Sequence, residues 1–209
     1  MVEVLALIPD HLINPLISSI SIITGAILGG IFSYIINKKS TGKAIETQSK
    51  IEKDKREYQE ANKAIKLSEN ATIIRLDICT TLFQSLRMLK EFDSGNKITI
   101  YPVPMNFNYA KAIAALEKKL DLKELSYIYQ LYVIIEKLHN DTKVYYYDEK
   151  HYTLIKEDYE MFIKKLYGSN FSKALCFDID NVTYESLYNN EIIKPGYKNV
   201  LIKLHEITY

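Results

Sequence analysis

The stretch "NPLISSISIITGAILGGIFSYIINKK", residues 14–39, decides how the whole chain is read. From residue 12 to residue 37 there is no Asp, Glu, Lys, Arg or His. Asn14 suits an N-cap, and Pro15 suits the first helical position, where its missing N–H costs no hydrogen bond. A helix from Pro15 to Ile36 is about 33 Å long at 1.5 Å per residue, close to the roughly 30 Å of a hydrocarbon core. An uncharged helix of that length predicts a single transmembrane span over residues 15–37. A cleaved signal peptide fits less well. Signal peptides place positive charge before the apolar region, whereas Glu3 and Asp10 precede this one. No small-x-small site ends it before Lys38 either.

The basic residues fall after the span. Residues 38–57 carry seven basic and four acidic side chains. Positive charge is retained on the cytoplasmic side, which predicts residues 1–14 outside the cell membrane and the rest of the chain in the cytoplasm. Lys38, Lys39 and Lys43 lie where they meet the membrane surface and its anionic headgroups. Within the span, Ser21, Gly25, Gly29 and Ser33 recur every four positions and share one helix face. No hydrophobic effect joins helices in lipid, so association needs close backbone approach, and small residues permit it. The stripe predicts a homo-oligomer formed through the anchor.

Composition limits what the remainder can be. With 209 residues, 47% hydrophobic and 25% charged, the chain has room for one folded domain plus an appended segment. A formal net charge of +1 provides no field to draw nucleic acid. The two cysteines, Cys79 and Cys176, are far apart in apolar runs and suit reduced thiols rather than a disulfide framework. Abundant Lys, Ile, Asn and Tyr with no Trp suggests an AT-rich bacterial or phage gene.

Residues 38–70 read as a charged helical stalk. "KKSTGK" is expected to hinge it, because Ser40, Thr41 and Gly42 are poor residues for a helix interior. Ala44, Ile51, Tyr58, Ile65, Thr72, Cys79 and Leu86 are spaced by seven, a weak coiled-coil seam that needs help from associated anchors. Residues 71–209 read as an α-helical bundle. Its first helix carries Ile74, Ile78, Leu82, Leu86 and Leu89 and ends near "DSGN". "ITIYPVPMNF" is too rich in proline for a central strand and reads as a packed extended connector. Asn108 is expected to cap the next helix, and Asp121 with Glu124 forms a capping-box pattern for the one after. That third helix is apolar around most of its circumference and is expected at the centre. "TKVYYYDEKHY" reads as a connector or edge strand. A later helix runs through Ile155, Tyr159, Phe162 and Leu166 and stops at Gly168. Thr183 begins a short helix, and Pro195 opens the last. Six helices make the fold class all-α, with only "KALCFDI" pointing to β structure.

"ALCFDIDNVT", residues 174–183, resembles the first motif of haloacid-dehalogenase-like phosphatases. The resemblance implies Asp178 as nucleophile and Asp180 as general acid, with magnesium bridging to the phosphate. In that family the motif opens a Rossmann-like domain with its later motifs well over a hundred residues downstream. Only 26 residues follow Thr183 here, and they read as helix. The expected role of Asp178 and Asp180 is therefore to end an apolar segment and cap the next helix. None of His11, His139, His151 and His205 forms the i, i+4 pair of a helical metal site, and His139 is expected to complement the end of its helix. No glycine-rich phosphate loop is present, so neither catalysis, a metal nor a cofactor is expected. Tyr145, Tyr146, Tyr147 and Tyr152 form a cluster that could present a surface to a protein partner.

Together these readings describe a single-pass membrane protein displaying a helical interaction or sensing domain to an unknown cytosolic partner. The alternative is a membrane-disrupting effector, a defence or toxin component, whose spans assemble into a leak.

Overall fold

In a computed structural model, residues 10–94, 99–143 and 148–209 are described. The elements are α1 (Asp10–Ser94), α2 (Tyr109–Ala115), α3 (Leu122–Asp141), α4 (Glu149–Tyr167), a 3₁₀ turn (Gly168–Asn170), α5 (Phe171–Ala174), α6 (Tyr184–Tyr188) and α7 (Pro195–Thr208). The fold is all-α, with no strand among the described residues. The chain divides into two compact units, Met1–Ala61 and Asn62–Tyr209, and each is taken on its own.

In the first unit, the described residues are helical from Asp10 onward. Helix α1 therefore begins before Asn14, and Pro15 lies inside it rather than at its first position. A proline there removes one N–H donor, and Ser19 Oγ donates to the Pro15 carbonyl (2.8 Å). The expected hinge is not a break either: residues 38–43 are helical throughout. Ser, Thr and Gly each cost about 1 kcal/mol or less in a helix interior, too little to interrupt a long run of good formers.

The second unit is built around residues 62–94 of α1. Ala71, Ile74, Ile78, Leu82, Leu86 and Leu89 are buried at three- and four-residue steps. The other elements meet this face: Ile113 and Leu116 from α2 and its end, Ile128, Ile135 and Leu138 from α3, Phe162 and Leu166 from α4, and Leu201 and Leu204 from α7. Cys79 and Leu86 thus belong to the core, which ends the seven-residue seam as an outward-facing feature. Ile51, Tyr58 and Ile65 remain exposed. Helix α3 meets α2, α4 and α7, the position its apolar circumference predicts, and leaves Val133 68% exposed.

Local signals terminate the elements largely as expected. Asp121 and Glu124 form a reciprocal capping box at the start of α3, and Thr183 with Ser186 forms another at α6. Helix α4 starts at Glu149, where Asp148 accepts from the His151 N–H (2.7 Å). Gly168 stops it with a φ of 58°, a left-handed value that suits glycine. Asn108 precedes α2, but its side chain makes no cap. The apolar run "KALCFDI" forms α5 and a turn, the extra helix beyond the expected six, because its hydrogen bonds close locally, as from the Cys176 N–H to the Lys173 carbonyl (3.1 Å).

The 99–108 connector is packed and extended. Val103 is fully buried; its N–H donates to Thr142 Oγ1 (3.2 Å), and its carbonyl accepts from His139 Nδ1 (2.6 Å). The imidazole of His139 thus fastens a neighbouring segment, a role beyond ending its own helix.

Leu82→Ala is expected to destabilise the fold by about 2–5 kcal/mol, because the cavity forms at the packed centre. Ile51→Ala should change stability by no more than about 0.5 kcal/mol. Urea unfolding of both variants checks the contrast.

Candidate functional site

Ser21, Gly25, Gly29 and Ser33 all lie in α1 and are exposed. A side chain added at Gly25 or Gly29 would meet nothing within 4 Å. The surrounding apolar residues are just as open: Ile22 is 69% exposed and Phe32 62%. Thr24 Oγ1 donates to the Ile20 carbonyl (2.7 Å), so this hydroxyl, like that of Ser19, is satisfied by its own helix. The segment is long and apolar enough to cross a membrane. Lys38, Lys39 and Lys43 follow it, helical and exposed.

Of the tyrosine cluster, Tyr145, Tyr146 and Tyr147 lie outside the described residues. Tyr152 is half-buried, with its ring edge-on to Phe92 (centroids 6.4 Å, 77°), so part of its surface serves packing between α1 and α4.

Asp178 and Asp180 make separate surface contacts. Asp178 accepts from Asn181 Nδ2 (2.7 Å) and the Asp180 N–H (3.3 Å), folding a tight turn. The Asn181 amide is the leading cause that holds the Asp178 carboxyl below its usual range. Asp180 pairs instead with Arg87 Nη2 of α1 (2.8 Å). Thr183, not either aspartate, caps α6. The segment is a surface turn tied to α1, also held by Lys90 Nζ donating to the Phe177 carbonyl.

Two acidic groups that the sequence reading passed over have more shaped surroundings. Asp77 on α1 accepts at Oδ2 from the Asn106 N–H (2.9 Å) and the Tyr132 hydroxyl (2.8 Å). Burial raises its carboxyl above the ordinary value, although those two donors oppose the shift. Tyr132 in turn stacks on Tyr109 (4.3 Å, 12°). One half-buried carboxylate therefore joins α1, the connector, α2 and α3.

Asp158 of α4 is 1% exposed, and its two oxygens accept from Lys137 Nζ of α3 (2.5 and 2.6 Å). Lys137 also reaches Asp141 (3.1 Å). Burial raises the Asp158 carboxyl. At Asp141 the burial penalty is outweighed by hydrogen bonds with Asp158 and Lys137, and its carboxyl falls below the usual range. The triad clamps α3 to α4. Its lysine already fills the position a cation would take, and no group of three metal-ligating side chains occurs among the described residues. Cys79 is buried with its thiol pushed up to about 12, which makes it inert, while Cys176 is exposed.

Comparison with protein families, characterised proteins and solved structures gives no match to this chain. Its residues alone carry the functional reading.

The folded Asp77 carboxyl releases its proton at a higher pH than the ordinary 3.8. Its contribution to stability is therefore fully present below 3.8 and is lost as pH rises through the folded value. Asp77→Asn removes this dependence. The stability of the natural chain minus that of the variant should fall with rising pH across that window and be flat above it, as read from urea titrations at stepped pH.

Proposed function

We propose that the chain is a single-pass membrane protein that holds a helical interaction domain at the cytoplasmic face and self-associates through its anchor. The observation that carries this reading is the uncovered apolar surface of residues 16–36, where Leu16, Ile23, Ile27, Ile31 and Ile35 are each about half exposed or more. Side chains of this kind favour leaving water by about 1.5–3 kcal/mol each when fully buried. A bilayer supplies that burial along the full helix circumference, and the hydroxyls bonded to their own helix enter lipid without an unmet hydrogen bond. Seven basic residues in 38–57 support the orientation with the domain inside. The small face of Ser21, Gly25, Gly29 and Ser33 supports association of two or more anchors. An interaction role, rather than turnover, is supported by acidic clusters committed to turns and helix clamps.

Three measurements test it. The full chain should remain in the membrane pellet after alkaline carbonate, and Ile23→Arg with Ile27→Arg should release it; a natural chain in the supernatant sinks the anchor. A membrane-impermeant maleimide should label Cys176 in permeabilised cells but not in intact ones, and labelling of intact cells reverses the orientation. Gly25→Ile with Gly29→Ile should reduce the oligomer size found in nanodiscs. Rapid dye leakage from vesicles carrying the natural chain, lost in that double variant, would favour the membrane-disrupting alternative.

A further inference from the structure

The domain carries an open groove of about 420 Å³ between α1 and the end of α2. Its lining between the lysines is Ala64, Leu67 and Ala115, with the polar Asn70 beside them. Ala64 and Ala115 are small, so a larger residue at either position would take up part of this space. Its rim is formed by Lys63, Lys66, Lys118 and Lys119, and no acidic side chain lines it. All four lysines are exposed, and none makes an ion pair with a described residue, whereas Lys203 nearby is already paired to Glu124 (2.5 Å). A second groove shares Ala64, Leu67 and Lys119 and is lined further by Lys203, Glu206 and Ile207 of α7 and by Tyr209 after it.

We propose that this groove docks an acidic amphipathic helix from a partner protein. The proposal deepens the interaction reading above and rests on it for the partner being a protein. The chemistry is that of a helix laid into a groove: apolar anchors one and two turns apart enter the track, and carboxylates on both flanks meet the lysine rim. Charge complementarity selects this occupant. Four unpaired ammonium groups around an apolar floor repel basic helices and leave neutral ones without partners for the rim. The lysine stems also extend the apolar walls while their heads stay in water.

The test uses the full chain in phosphatidylcholine nanodiscs and a fluorescein-labelled synthetic peptide. The probe is about 18 residues long, enough for a marginally stable helix, with Leu on one helical face and Glu on the flanks. A peptide of the same composition in scrambled order is the control. By fluorescence anisotropy the amphipathic peptide should bind about tenfold more tightly than the scrambled one. Ala115→Phe, which fills the channel, and Lys118→Glu with Lys119→Glu, which reverse the rim, should each weaken binding by about tenfold. These positions are exposed, so melting midpoints should be unchanged; Ala64→Phe fills part of the same channel from α1 should Ala115→Phe fail to fold. Equal affinity for both peptides, or binding indifferent to channel filling, overturns the proposal. So does an oligomer that Ala115→Phe splits into monomers by mass photometry, since that result assigns the groove to a second copy. Membrane fractionation is scored separately, so a chain that binds the peptide but leaves the membrane sinks the anchor and not the groove.

Discussion

An aliphatic side chain that its own polypeptide leaves uncovered has to find a neighbour other than water. Residues 16–36 present twelve large hydrophobic side chains in that condition, from Leu16 to Ile36, on every side of one helix. A surface helix of a globular protein buries a stripe and leaves the opposite face to polar groups. Here no charged face is available, since no Asp, Glu, Lys, Arg or His occurs between residues 12 and 37. The backbone of that segment is already satisfied by its own helix, and Ser19 and Thr24 return their hydroxyls to carbonyls four residues back. Such a segment is solvated poorly by water and well by hydrocarbon, which is why the proposed function begins from this helix.

The same helix uses another strategy after Asn62. There its apolar residues are confined to a face with Ile74, Ile78, Leu82 and Leu86, and the polar groups on its borders are put to structural use. Asp77 gathers Asn106 and Tyr132, Gln84 holds the Tyr101 carbonyl (2.7 Å), and Arg87 and Asp93 form ion pairs with Asp180 and Lys156. Exposed pairs of the last kind contribute little, about 1 kcal/mol or less. The buried carboxylates differ, because each would carry a large desolvation cost if its donors were removed. They fix which segments pack against which faces, while the apolar core supplies most of the driving force.

How much of this could be read from the chain depends on the range of the interaction. The capping box of Asp121 and Glu124, the stop at Gly168 and the start at Pro195 are local chemistry, and each appears where the residues place it. The apolar face of residues 74–89 was legible through periodicity. Propensity misled where a single weak element met a long cooperative helix: Pro15 and the Ser40–Gly42 triplet interrupt nothing. At α3 the apolar content pointed to several packing neighbours, which α2, α4 and α7 supply, but composition cannot say that Val133 faces solvent. The lysine-rimmed groove was illegible for a different reason. Ala64 and Ala115 are unremarkable apart, and only the fold brings them into the lining of one groove. The Lys137–Asp158 clamp likewise joins residues from two helices that no motif links.

Anchoring and a shallow groove also make sense of one another. An open channel floored by one leucine and two alanines buries little area, and its lysines keep their heads in water, so its intrinsic affinity for a single helix is bound to be modest. Confinement to a membrane, as proposed above, would change the arithmetic: a partner held at the same surface would meet the groove at an effective concentration far above that of the free protein, and association of the anchors through Gly25 and Gly29 would present several grooves together. Weak sites repeated on a tethered oligomer give avidity that is lost when the copies separate. On this view the small-residue face of the span acts on partner capture without touching the partner, by setting how many lysine-rimmed grooves stand side by side.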